Sequence, residues 1–126
     1  MKLRSKPTVE KCKSYPVSIF IAGNYELARF WAQQYCDEVG LCVTLTKTEY
    51  VYTNGIEHGV IIGLINNPQV PRTFEFITEK ATDLAEFLLE KLIQKSYSIQ
   101  TPEETITISY RISDVEKYRY EHDMQS

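Results

Sequence analysis

Several things are scarce or missing in this chain, and each absence narrows what it can be. The longest uninterrupted apolar run, Val60 to Ile65, spans six residues even counting Gly63, far short of the ~20 that a membrane-spanning helix needs. No apolar stretch follows the basic start Met1-Lys2-Leu3-Arg4-Ser5-Lys6-Pro7, so no secretory signal is expected and the protein reads as intracellular. Glycine and proline number five each, which excludes collagen-like and low-complexity architectures. Three cysteines, Cys12, Cys36 and Cys42, form an odd set, expected as reduced thiols rather than a disulfide framework. There is no close cysteine pair and no His-Glu-x-x-His, so no metal site is expected from Cys12, Cys36, Cys42, His58 and His122. Gly55, Gly59 and Gly63 recur every four residues, but in a hairpin and strand rather than between a strand and a helix, so neither glycine-rich phosphate motif is met.

What is present suits one domain. A chain of 126 residues, 43% apolar and 25% charged, can bury a single core without staples. Charge is unevenly placed: residues 1–14 carry net +4 and the remainder net −7. An acidic body repels nucleic-acid polymers, and an anionic ligand would need a local cationic cluster. The basic segment 1–14 is expected as an arm, 15–113 as the domain and 114–126 as a polar, solvated tail.

The core should open with a buried strand, Val17 to Ala22. Gly23-Asn24 then turns the chain, Asn24 capping a helix from about Tyr25 to Val39 that Gly40 closes. Leu41–Thr46 and Tyr50–Thr53 read as strand, and Asn54-Gly55 is a hairpin signal leading to a return strand Gly59–Ile65, apolar enough to be central and covered on both faces. A second helix is expected over Phe74–Tyr97 from Ile77, Ala81, Leu84, Ala85, Leu88, Leu92 and Ile93 at helical spacing. Glu104–Ile112 alternates as a strand with one wet face. The order βαββαβ predicts an α+β fold, a mainly antiparallel sheet with two helices on one face.

No catalytic constellation stands out. Cys36 and Cys42 read as buried small apolar residues, since Cys36 near a helix C-terminus faces a dipole that opposes a thiolate. Glu49 and Glu57 flank the hairpin and read as solvated turn carboxylates. What remains is a vocabulary of binding. Nine tyrosines, five phenylalanines and one tryptophan exceed the needs of a plain core, and Tyr50 and Tyr52 are expected near the 66–73 loop. Arg72 enters the second helix and Arg111 ends the last strand, both placed to meet a phosphate.

The segments Tyr35-Cys36-Asp37-Glu38-Val39-Gly40-Leu41-Cys42-Val43-Thr44, Tyr50 to Gly59 and Gly63-Leu64-Ile65-Asn66-Asn67-Pro68 resemble the first Thoeris anti-defence family of bacteriophages. The resemblance spans about residues 17–112. It implies a non-enzymatic sponge, without cofactor, that sequesters the glycocyclic ADP-ribose signal of TIR proteins in the cytoplasm of the infected host. Members are similar in forming homo-oligomers, a dimer or a dimer-based hexamer, with pockets at subunit contacts; in some, further sites hold CBASS cyclic oligonucleotides. On that resemblance Tyr50, Tyr52, Phe74 or Tyr110 would stack on adenine and Arg72 and Arg111 would pair with the pyrophosphate. Asn24, Thr53, Asn66 and Asn67 would bond the riboses. The chain departs from the family's pattern at Asn67, Gln69 and Val70, where members carry Tyr, Arg and Phe. Two other readings stay open: an anti-CRISPR-like inhibitor acting through a protein interface, and an enzyme that cleaves the signal.

Overall fold

The computed structural model describes residues 5–123. Five strands, β1 (Val17–Ala22), β2 (Thr44–Tyr52), β3 (Gly55–Leu64), β4 (Ser96–Gln100) and β5 (Thr105–Ser109), alternate with three helices, α1 (Tyr25–Val39), α2 (Phe74–Lys91) and α3 (Ile112–Asp123). The strands form one sheet in the order β2-β3-β1-β4-β5, with every pairing antiparallel. The expected α+β fold is what the chain adopts.

Alternation along the strands creates two unlike faces. Val17, Ile19 and Ile21 of β1, Val60, Ile62 and Leu64 of β3, and Tyr97 and Ile99 of β4 are buried beneath Ala28 of α1 and Ala81, Leu84, Ala85 and Leu88 of α2. The other face is built from the intervening residues. Phe20 lies opposite Ile61 and Ser98, Ala22 opposite Gly59, and Ser18 opposite Gly63 and Gln100. Among the described residues no helix covers that face, so β3, expected to be covered on both sides, is covered on one.

The helix ends follow their local chemistry. Asn24 Oδ1 accepts from the Leu27 amide at 2.9 Å, and Gly40 takes a left-handed φ of 76° as its amide closes on the Cys36 carbonyl. Thr73 caps α2 by accepting from the Phe76 amide.

The largest departure from expectation is where α2 stops. The helix ends at Lys91, with Leu92 as cap, rather than at Tyr97. The Gln94 amide bonds the Leu89 carbonyl and the Ile93 amide that of Glu90, while Ile93 turns left-handed at φ 55°. This is a Schellman closure made without glycine. Ser96–Gln100 is then free to become β4, beside β1. Leu92 and Ile93 extend the apolar helical spacing past the stop, which hides it in the sequence.

Smaller differences follow. β2 is one continuous nine-residue strand, and β3 begins at Gly55 directly after the turn. Residues 114–123 of the expected tail, together with Ile112 and Ser113, wind into α3, and near its start Ser109 donates to Asp114 at 2.7 Å. Part of the expected basic arm, 1–4, lies outside the described residues. Residues 5–14 form neither helix nor strand, yet the segment is fastened, because buried Asn66 donates to the Lys13 carbonyl at 2.9 Å. Cys36 is half-buried and Cys42 exposed, and Cys42 precedes β2 rather than lying on it. All three cysteines are free thiols. Burial, then the neighbouring Cys42 and Asp37, raises the Cys36 thiol pKa.

Candidate functional site

At one end of the uncovered sheet face lies a hollow of about 190 Å³. Phe20 and Ala22 of β1, Ser96 and Ser98 of β4, and Tyr50, Glu57 and Arg111 line it. A second hollow of about 350 Å³ adjoins it, sharing Ala22, Glu57 and Gln94 and adding Gly23, Asn24 and His58.

Strand register assembles this site. Tyr50 is the partner of Glu57 and Tyr52 that of Gly55, so both tyrosines and the carboxylate project to the uncovered face. The Tyr50 ring lies flat where Gly59 has no side chain: a Cβ there would fall 2.3 Å from the ring and 2.6 Å from the Ile21 carbonyl oxygen. Its hydroxyl donates to the Val60 carbonyl at 2.8 Å, and burial raises its pKa. The phenol is therefore neutral and fixed. Tyr52 is half exposed on the same face, two residues further along β2. Its pKa is raised by partial desolvation and by the charge and hydrogen bonding of Glu57, an effect that Arg111 partly offsets.

Arg111 follows β5. Its guanidinium donates to the Ser96 hydroxyl and its amide to Ser109 Oγ. Tyr110, next to it, points toward the helix layer, its hydroxyl shared between the two oxygens of Glu86 at 3.0 and 3.1 Å. Tyr97 donates to the same carboxylate at 2.6 Å. Burial, with Glu86, holds the Tyr97 phenol well above its usual pKa, and the hydrogen bond to Glu86 does the same for Tyr110. This network pins the chain on either side of the hollow.

The ten residues expected at a ligand site thus separate. Tyr50 and Arg111 share the hollow, Tyr52 lies on the same sheet face without lining it, and Asn24 lines the neighbouring hollow while also capping α1. Thr53 lies exposed at the hairpin turn. Tyr110 faces the helix layer, and Phe74 packs against Tyr15 with ring centroids 5.6 Å apart. Asn66 is a scaffold residue, its Oδ1 accepting from the Arg72 amide at 2.8 Å. Asn67 and Arg72 line a different groove. The expectation that Tyr50 and Tyr52 lie near the 66–73 loop is not met: they pair with the first residues of β3, and the loop follows its last. Glu57, Phe20, Gln94, Ser96 and Ser98 were missed. For Glu57 the available signal was strand alternation: it lies two positions before Gly59 and pairs with Tyr50, so it shares their face. Glu49, on the opposite side, pairs with His58 at 3.7 Å. No group of three His, Cys, Asp or Glu side chains among the described residues converges to hold a metal.

The site therefore offers a carboxylate, a guanidinium and aromatic rings around a polar floor, which is a vocabulary for a small zwitterionic or cationic ligand with a planar part. No family model matches the sequence, and no curated protein does. Solved structures do match in fold. A phage SAM lyase in its apo state aligns with TM-score 0.63 at 17% identity, over 82% of this chain and 96% of that one. A phage SAM lyase in complex with S-methyl-5'-thioadenosine aligns with TM-score 0.61 at 15% identity, over 83% and 96%. The likeness establishes the fold, and this fold carries an enzyme. The expectation of a protein that is not an enzyme is corrected on that finding.

Proposed function

We propose that this protein binds S-adenosylmethionine in the uncovered-face hollow and cleaves it as a lyase, releasing S-methyl-5'-thioadenosine. The observation that carries this reading is the meeting of Glu57, Arg111 and Tyr50 in one hollow, on a fold shared with a SAM lyase. Glu57 would face the sulfonium or ammonium, Arg111 would bind the carboxylate, and Tyr50, Tyr52 or Phe20 would support the adenine and the sulfonium methyl.

The chemistry needs no oxidant or metal. The Cγ–S bond breaks, its electron pair moves to sulfur, and the cation becomes a neutral thioether. The four-carbon fragment closes its valence either by attack of its own carboxylate on Cγ, giving a lactone, or by loss of a Cβ proton to Glu57, giving an unsaturated amino acid. Charge disappears along this path, so walls that exclude water favour it. A hollow of 190 Å³ is below the ~300–1,000 Å³ usual for ligand pockets. A second copy on the bare sheet face would supply the missing wall, which agrees with the expected homo-oligomer. As a bacteriophage protein it would draw on the cytoplasmic pool of its host.

Incubation of the purified protein with S-adenosylmethionine tests this. Chromatography should show S-methyl-5'-thioadenosine accumulating in proportion to protein, and an unchanged substrate would overturn the reading. The narrower reading from the sequence resemblance, capture of glycocyclic ADP-ribose in an anti-defence role, requires Arg72 and Arg111 to come from different copies, because within one chain they line separate cavities. Calorimetry with that cyclic nucleotide decides it: tight binding supports it and the absence of heat removes it.

A further inference from the structure

The opposite end of the molecule holds a larger cavity whose charged groups are cations alone. It measures about 460 Å³ and lies between the end of α1, the 66–73 loop and the first turns of α2. Its walls are aliphatic, with Val39, Leu41, Leu64, Ile65 and Val70 prominent, and its charged groups are Arg72 and Lys80. Among the described residues no acidic side chain lines it.

The two cations converge on one ring. The Arg72 guanidinium carbon is 5.0 Å and Lys80 Nζ 5.5 Å from the centroid of Phe76. They therefore lie within ~10 Å of each other, about a Debye length at 0.1 M salt, and repel. The ion pairs among the described residues, Arg29 with Glu26 and His58 with Glu49, involve neither of them. In a body of net −7 charge, a cavity lined by two cations and no carboxylate is poised for an anion.

The cavity is also built. Asn66 is 8% exposed and fixes the loop from within, donating to the Lys13 carbonyl and accepting from the Arg72 amide. The Gln69 amide closes on Asn67 Oδ1, and the Val70 amide on the Asn67 carbonyl. The Arg72 backbone is thus held before any ligand arrives, which lowers the entropic cost of binding. Ile65 and Val70 remain 71% and 51% exposed, apolar surface that an apolar ligand body would cover.

We infer that this groove is a second ligand site, for a small organic anion carrying an aromatic or aliphatic body. The anion sits between Arg72 and Lys80, and the body lies against Leu41, Ile65 and Val70. A sulfonium ligand is excluded by the same charges. The site stands whether or not the other hollow cleaves S-adenosylmethionine.

The test uses the full chain and the anionic fluorophore 8-anilinonaphthalene-1-sulfonate. The native protein should bind it saturably. Arg72→Gln with Lys80→Gln should weaken binding at least about tenfold, the scale of lost charge-assisted hydrogen bonds, and Lys47→Gln, at an exposed β2 position outside the groove's lining, should leave it unchanged. Should the double variant lose its cooperative melting, the exposed Arg72→Gln alone should still weaken binding severalfold. Benzoate or phenyl phosphate should displace the fluorophore, the stronger competitor naming the headgroup, while benzyl alcohol and S-methyl-5'-thioadenosine should not. Undiminished binding by the charge variants, or equal displacement by benzyl alcohol, would overturn the inference by reducing the groove to a greasy patch. Displacement by S-methyl-5'-thioadenosine would overturn it by merging the two sites.

Discussion

The two cavities sit at opposite ends of β3 and on opposite sides of the sheet, and they differ in kind. Near Glu57 the hollow is shallow, mixed in charge and floored by serines and aromatic rings. Beyond Leu64 the groove is deeper, aliphatic and purely cationic. From Glu57 to Leu64 is seven residues of extended chain, about 24 Å at ~3.4 Å each. One strand therefore carries two electrostatic environments that do not screen each other's ligands, and a functional reading that mixes residues from both ends within one chain fails on distance. Arg72 and Arg111, natural partners in sequence, are the instance.

The sharpest way to break the contrast is at the glycines. Gly59→Val places a side chain into the Tyr50 ring and the Ile21 backbone, so it should cost about 3 kcal/mol, at the upper end for overpacking, read as a fall in the denaturation midpoint. Gly40, beside the groove, has open space around its Cβ position but a φ of 76°. Gly40→Ala should cost only ~1 kcal/mol, from conformation alone.

Between those effects lies a test of charge. Glu57→Gln should lower kcat/KM for S-adenosylmethionine about tenfold or more, as loss of a charge-assisted contact implies, yet barely change affinity for S-methyl-5'-thioadenosine, which has no sulfonium. An equal loss for both ligands would mean that Glu57 is structural. Ile93 offers a gain instead. It is 84% exposed and left-handed, so Ile93→Gly should stabilise by ~1 kcal/mol, seen as a higher melting temperature.

The smallest expected effect concerns pH. The Tyr97 and Tyr110 phenols are held above their ordinary value of 10 by burial and Glu86. A group whose folded pKa exceeds its unfolded one contributes stability that is complete below the unfolded value and fades as pH rises toward the folded one. Melting temperature should therefore decline above pH 10, and Tyr97→Phe should flatten that decline.

Much of the frame was legible in the residues. Val17–Ala22 and Tyr25–Val39 were bounded correctly because Pro16, Asn24 and Gly40 mark their ends. Asn54-Gly55 located the hairpin. The end of α2 was not legible, because its closure uses Ile93 where glycine is usual, and with it went β4 and Gln94. The lining of the candidate hollow was half legible. Tyr50 and Arg111 were singled out by type, and Asn24, in the adjoining hollow, by its cap. Glu57 was passed over because a hairpin carboxylate looks solvated until strand register puts it beside Tyr50. Phe20, Ser96 and Ser98 depend on β1 meeting β4, a non-local pairing that no local pattern announces.

Chemical-shift mapping of the isotope-labelled protein during titration with S-methyl-5'-thioadenosine decides whether the hollow holds a nucleoside. Saturable shifts confined to the neighbourhood of Ala22, Tyr50, Glu57, Ser96 and Arg111 are predicted, with the amides of Leu41, Ile65 and Arg72 still. Shifts centred on the groove, or none at saturating ligand, would contradict the assignment of the hollow as a nucleoside site.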